Sequence, residues 1–269
     1  MTENNTPIPW ALIVGSSSGF GEAAGLELAG EGLNVFGVHF DRRSATAHVN
    51  QIVEKIRSMG REVTFFNINA ADAEKRSKAL DEMQERWNPA GGNHFIKVFL
   101  HSVAFGSLLP YLAENGAGQL SQAQMEMTID VMGSNLVYWV QEMMRRKMLR
   151  QGSRIYALTS AGGHSVIPEY GAVSAAKAVL ESHIRQLAFE LMPCGITANA
   201  IQAGVTLTPG SSKIPGIGKL AEFARMRNPG GRLTTPEDVA SAIVALMSNK
   251  THWMTGNVIR VDGGEDIVT

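Results

Sequence analysis

Short apolar runs recur along the chain, separated by longer stretches in which apolar residues return every three or four positions. The short runs predict strands at Ala11–Val14, Val35–Phe40, Val63–Ile68, Ile96–Leu100, Ile155–Thr159, Thr197–Ile201 and Val258–Val261. Runs with no polar alternation, such as Phe99-Leu100 after Ile96-Lys97-Val98, suit strands covered on both faces. The longer stretches predict helices over 20–31, 45–59, 73–87, 122–149, 171–192 and 236–248. Thr235-Pro236-Glu237-Asp238 opens the last of these with a capping hydroxyl, proline at the first position and acids in the first turn. Strand and helix alternate from end to end, which predicts an α/β fold with a doubly wound parallel sheet. A surface loop is expected over 88–93. The stretch 208–232 holds three Pro and five Gly and reads as an irregular loop, too long for a simple connector and of the kind that often forms a lid.

Length and composition narrow the class. A chain of 269 residues with 44% hydrophobic and 18% charged residues suits one globular domain spanning 1–269. A net charge of -1 leaves no electrostatic footprint for nucleic acid. Cys194 is the sole cysteine, so no internal disulfide forms, and a reducing, cytoplasmic setting fits. The first residues carry no basic and apolar leader pattern, and no apolar stretch is long enough to span a bilayer. No metal is expected. Thirteen methionines, several between Met125 and Met148, read first as core and second as a soft wall for an acyl chain.

Chemistry is concentrated at two places. The first is Gly15-Ser16-Ser17-Ser18-Gly19-Phe20-Gly21, directly after the first strand and opening a helix. Glycines there allow a tight turn and close approach to a pyrophosphate, and the helix start offers free N–H groups. The end of the second strand, His39-Phe40-Asp41-Arg42-Arg43, bears on which dinucleotide binds. A carboxylate there would take a ribose 2′-hydroxyl, and arginine would take a 2′-phosphate. Both are present. Arg42 and Arg43 favour NADP(H) over NAD(H), and the competing reading makes them a solvated turn.

The second place is Tyr170-Gly171-Ala172-Val173-Ser174-Ala175-Ala176-Lys177, with Ser160 ahead of it after the fifth strand. Seven residues of helix rise roughly 10 Å, and positions i and i+7 share a face. Tyr170 can thus face the side of Lys177 from a turn earlier than Val173, which has no proton to give. Together with the glycine loop, this set resembles the short-chain dehydrogenase/reductase family. The Tyr-x6-Lys spacing and His101-Ser102-Val103-Ala104-Phe105 resemble its enoyl-(acyl-carrier-protein) reductases, and Ser160 resembles a serine-retaining subset that tends to use NADPH.

The resemblance implies a Rossmann-type seven-stranded sheet in the order 3-2-1-4-5-6-7 and a homotetramer. It implies catalysis by Tyr170, Lys177 and Ser160, with Tyr170 and Phe105 at the substrate. It assigns the cofactor to Gly15, Ser17, Ser18, Gly19, Phe20, Gly21, His39, Arg42, Arg43, Asn69, Ala70, Ser102, Val103, Ala104, Lys177, Gly204, Val205, Thr206 and Thr208. The expected partner is an enoyl thioester on acyl carrier protein or CoA, with 208–232 as the substrate loop. His101 is expected to be a packing and hydrogen-bonding residue of the strand end, and Tyr156 a core residue. Met132 stands where ordinary members carry an active-site asparagine, with Asn135 three positions on. Two other functions stay open: a carbonyl or hydroxysteroid-type reductase using the same three residues, and a catalytically idle NADP-binding protein. Tyr170 itself has a plainer reading, as a loop aromatic.

Overall fold

A computed structural model describes residues 6–87 and 93–268. Seven strands form one sheet: β1 (Pro7–Val14), β2 (Asn34–His39), β3 (Val63–Asn67), β4 (Asn93–His101), β5 (Arg154–Ser160), β6 (Thr197–Ala203) and β7 (Val258–Val261). Their order is β3-β2-β1-β4-β5-β6-β7, and every pairing is parallel. The expected order and the Rossmann-type sheet are therefore both present. Apart from Asn93, which opens β4, the loop expected over 88–93 lies outside the described residues.

Side chains alternate along each strand, so each face of the sheet needs its own cover. Trp10, Leu12 and Val14 of β1 face one core, with Leu80 and Met83 of α3 (Ala73–Trp87), Trp139 of α5 (Asn135–Arg145) and Leu180 of α6 (Gly171–Leu191). Ala11 and Ile13 face the other, with α1 (Gly19–Gly30), α2 (Thr46–Ser58) and α8 (Pro236–Leu246). The start of α8 carries the expected cap: Thr235 accepts from the Asp238 N–H, and the Asp238 side chain accepts from that of Thr235.

Two segments differ from expectation. The helix expected over 122–149 is interrupted. α4 (Gln122–Ile129) leads into a π-helical turn at Asp130–Ser134 before α5 begins. Gly133 lies in this turn, where an added Cβ would stand 3.0 Å from the Ala176 carbonyl of α6. The bare backbone lets the two helices close, and the wider turn absorbs the extra residue. The stretch 208–232, expected to be irregular, contains helix α7 (Ile217–Arg227). Ala221 and Ala224 are buried on one side of α7, a helical spacing hidden among the surrounding glycines and prolines.

Trp139 connects this core to the sheet's carboxyl edge. It is fully buried, and its indole N–H donates to the Ala70 carbonyl at 3.2 Å. Trp139→Phe removes this bond, leaving the carbonyl only the Arg76 guanidinium at 3.5 Å, and should lower stability by about 0.5–1.5 kcal/mol in urea unfolding.

Candidate active site

The carboxyl ends of parallel strands form the crevice in which such sheets hold ligands. The segments that follow β1 to β6 meet there. After β1, the backbone N–H groups of Gly15 and Ser16 both donate to the Val38 carbonyl of β2, at 2.8 and 3.1 Å. A Cβ on Gly21 would stand 1.9 Å from the Gly15 carbonyl oxygen, and one on Gly15 would stand 2.2 Å from that of Ser102. Only glycine fits at either position. Ser18 precedes α1 and gives it no side-chain cap, so the first-turn N–H groups face the crevice without one. An uncapped helix start on a tight glycine turn suits the pyrophosphate of a dinucleotide. Gly15, Ser17, Ser18, Gly19, Phe20 and Gly21 lie together on this loop and helix start, as expected.

β2 ends at His39, and His39 Nδ1 lies 2.9 Å from an Asp41 carboxylate oxygen. Asn67 at the end of β3 ties down the Asp41 backbone, accepting its N–H and donating to its carbonyl, both at 3.1 Å. Arg42 and Arg43 follow, exposed. Asn69 turns the chain after β3 by accepting the Ala71 N–H at 3.1 Å. Ser102, Val103 and Ala104 leave β4 beside the glycine loop, with the Ser102 N–H donating to the Val14 carbonyl at 2.8 Å. Phe105 is exposed at this rim.

Tyr170, Ser160 and Lys177 come together. Lys177 is 5% exposed and donates to the Leu158 carbonyl of β5 at 2.7 Å. Burial lowers its pKa to about 8, against the pull of Glu181. Glu181 is itself anchored by the Thr159 hydroxyl at 2.5 Å. Tyr170 sits at the cap of α6, 8% exposed, with its ring against Gly162. Burial raises its pKa, and the neighbouring Ser160 hydroxyl acts in the opposite direction. Ser160 also accepts the Gly162 N–H at 3.1 Å. Val173 is buried in an apolar cluster with Tyr170, Met132 and Ala176. Its Cγ2 lies 3.0 Å from where a Cβ on Gly106 would stand.

His101 differs from expectation in one respect. It is fully buried, as a packing residue should be, but among the described residues neither ring nitrogen has a hydrogen-bond partner. Burial first, then the Lys177 charge, lowers its pKa to about 3, so the ring is neutral. Tyr156 is a core residue, 1% exposed.

The loop after β6 closes the crevice. Thr208 lies against Gly19 of the glycine loop. Thr206 donates to the Thr234 carbonyl at 2.9 Å. The Ser211 hydroxyl accepts the Thr208 N–H and donates to the Thr206 carbonyl, at 2.8 and 2.7 Å. Gly204 and Val205 precede this knot. The Val205 N–H donates to a Glu265 carboxylate oxygen at 3.0 Å. Farther along, Ile214 packs on the cluster around Tyr170, so the 208–232 stretch reaches the chemical end of the crevice.

Three neighbours escaped the sequence reading: Glu265, Glu181 and Tyr111, which lies against the Gly171 backbone. Each is far in sequence from the residue it contacts or lacks a motif. For Glu181, its place one turn after Lys177 on the same helix was an available signal.

A family model described as enoyl-(acyl carrier protein) reductase matches residues 14–265. The enoyl-(acyl-carrier-protein) reductase (NADH) FabI of Buchnera aphidicola subsp. Baizongia pistaciae is 27% identical over 259 residues, 95% of this chain and 94% of its own. The cyclohexanol dehydrogenase of Rhodococcus sp. is 25% identical over 265 residues, 94% of each chain. The crystal structure of the enoyl-(acyl-carrier-protein) reductase (NADH) from Aquifex aeolicus VF5 matches with a TM-score of 0.82 at 24% identity, covering 97% of each chain. At that identity the likeness speaks for the fold alone.

The buried lysine has a consequence for stability. Its folded pKa, about 8, lies below the ordinary 10.5, so between these values the unfolded chain binds more protons. The cost of burying the ammonium is full below pH 8 and fades as pH rises toward 10.5. Lys177→Met removes that cost. The variant's stability advantage over wild type, measured by urea unfolding without ligand, should shrink steadily across that window.

Proposed function

The chain belongs to the short-chain dehydrogenase/reductase family, oxidoreductases that bind a nicotinamide cofactor, and on that premise we propose that it reduces the carbon–carbon double bond of trans-2-enoyl thioesters with NADPH. The observation that carries this reading is the exchange of roles between positions 173 and 170. Four residues before Lys177 the wall is apolar Val173, and the phenol that meets Ser160 belongs to Tyr170, one turn earlier.

That displacement suits the chemistry. In ketone reduction the oxygen that gains charge is bonded to the carbon that receives hydride. In an enoyl thioester the receiving carbon, C3, is separated from the carbonyl oxygen by C2 and C1. A proton-bearing group set one turn farther from Lys177 suits the more distant oxygen. The bound nicotinamide would supply the hydride. Tyr170 donates its phenolic hydrogen bond to the thioester oxygen and stabilises the enolate, as an oxyanion hole does. Ser160 orients that phenol. Lys177, with N–H groups left beyond its bond to Leu158, holds the nicotinamide-side ribose, and its charge favours proton donation by the tyrosine. Protonation at C2 completes the product.

The remaining assignments belong to the same reading. The loops built from Gly15–Gly21, His39–Arg43, Asn69–Ala70, Ser102–Ala104 and Gly204–Thr208 hold the dinucleotide. Phe105 and the 208–232 stretch cover the acyl thioester, carried on acyl carrier protein or CoA. The chain acts as one domain, in a homotetramer, in the cytoplasm. Among the described residues no helix is long and apolar enough to cross a membrane. NADPH is favoured because the Asp41 carboxylate is engaged by His39, while Arg42 and Arg43 stand exposed at the 2′-phosphate end. The name of the Buchnera relative carries NADH, so the choice needs its own measurement.

A panel of enoyl thioesters and ketones with NADPH and NADH tests the whole. Turnover of enoyl thioesters is expected. Turnover of ketones alone would replace this reading with a carbonyl reductase, the class to which the cyclohexanol dehydrogenase points. Tyr170→Phe should lower kcat by about 10²–10³-fold with cofactor affinity kept. The double variant Arg42→Ala, Arg43→Ala should raise the KM for NADPH about 10–100-fold, as loss of charge-assisted bonds would, and leave that for NADH nearly unchanged.

A further inference from the structure

The turn after β7 touches more of the crevice than its position suggests. Glu265 is 3% exposed, and its two carboxylate oxygens go to different elements. Oε2 accepts the Val205 N–H at 3.0 Å, in the loop that follows β6. Oε1 lies 3.5 Å from the Arg227 guanidinium, at the last residue of α7. Asn228, the next residue, donates to the Asp262 carbonyl at 2.8 Å, so the end of α7 is fastened to this turn twice. The approach is close: a Cβ on Gly204 would stand 2.9 Å from Glu265 Oε2. A proline at position 205 would have no N–H to give, and Val205 supplies one. Burial raises the Glu265 pKa, while the Val205 N–H and Arg227 oppose the shift, so its partners act to keep the carboxylate charged.

One carboxylate thus joins the loop after β6 to the end of α7, a link made by a side chain in addition to the continuous chain between them. We propose that Glu265 is a positioning residue that couples the substrate lid, through Arg227, to the nicotinamide-end loop, through Val205. Cofactor seated against the loop at Gly204–Thr208 fixes Val205, which fixes Glu265, which holds α7 closed over the acyl site. By linkage, a closed lid tightens cofactor binding by the same factor. The inference rests on the cofactor loop and lid assigned above and is independent of which acceptor is reduced.

The test uses the full chain with NADPH and NADH, and two readouts that need no turnover. One is the cofactor dissociation constant by nucleotide fluorescence. The other is the rate of trypsin cleavage after Lys219 and Arg225 of α7, with and without cofactor. In wild type, cofactor should slow cleavage. Glu265→Gln keeps an acceptor for Val205 but removes the charge that holds Arg227. Arg227→Gln removes the same link from the half-exposed side, where folding is less at risk. Each should cut the protection and weaken cofactor binding, about fivefold or more. The double variant should be no worse than either single one, and Arg227→Lys should restore part of the protection. Equal protection in wild type and Arg227→Gln, absence of protection in wild type, or additive losses in the double variant would each overturn the proposal. Loss of coupling with intact enoyl turnover, or intact coupling without enoyl turnover, separates the failure of this inference from that of the proposed reaction.

Discussion

A charged lysine inside the protein is the constraint around which the chemical end is organised. Lys177 is 5% exposed, and an ammonium in that setting is costly unless it is paired and hydrogen-bonded. The Leu158 carbonyl supplies the bond, and Glu181, held by Thr159, supplies the opposite charge. Both partners depend on β5 and α6 lying at one fixed height. That height also sets where Ser160 leaves β5 and where Tyr170 caps α6. The helix in turn is held by the close contact of Gly133 with the Ala176 carbonyl.

The two ends of the crevice are built from different materials. The glycine-loop end is mostly backbone: N–H groups of Gly15 and Ser16 on the Val38 carbonyl, and a bare helix start. The chemical end is mostly side chains in a low-dielectric wall, where Tyr170 is raised by burial and His101 is held neutral. Trp139, bonded to Ala70, ties the first kind of structure to the core beneath the second. Backbone recognition suits a ligand of fixed shape. Side-chain recognition leaves room for a wall to differ.

This division also explains what could be read in the sequence. Most element positions were legible because apolar periodicity reports burial, and each face of this sheet is covered, whereas the strand order came only with the family resemblance. Strands run a residue or more past their apolar runs, as β4 does at Asn93, because edge residues pair through backbone alone. The nearness of Tyr170, Ser160 and Lys177 was legible because one caps the helix that carries another and the third ends the strand before it. The π-helical turn at Asp130–Ser134 was not, since an extra residue in a helix leaves little mark on composition. Nor was α7, whose short apolar spacing is flanked by residues that usually end helices. Glu265 was beyond reach: its partners at 205 and 227 meet it only once β6 and β7 are side by side.

The packing around Val173 bears on how this molecule could have come from, or return to, another chemistry. Val173 Cγ2, Thr128 Cγ2 and the Met132 sulfur all crowd the space over Gly106, at 2.7–3.0 Å from an imagined Cβ there. A tyrosine at 173 would enlarge a side chain that is buried in this cluster, and overpacking a filled core costs about 1–3 kcal/mol. The step between the two tyrosine placements is thus not a single exchange. It needs a vacancy first, most simply at Met132, and that vacancy alone would weaken the wall without conferring a new activity. The two arrangements are neighbours in sequence and are separated by an intermediate with nothing to recommend it.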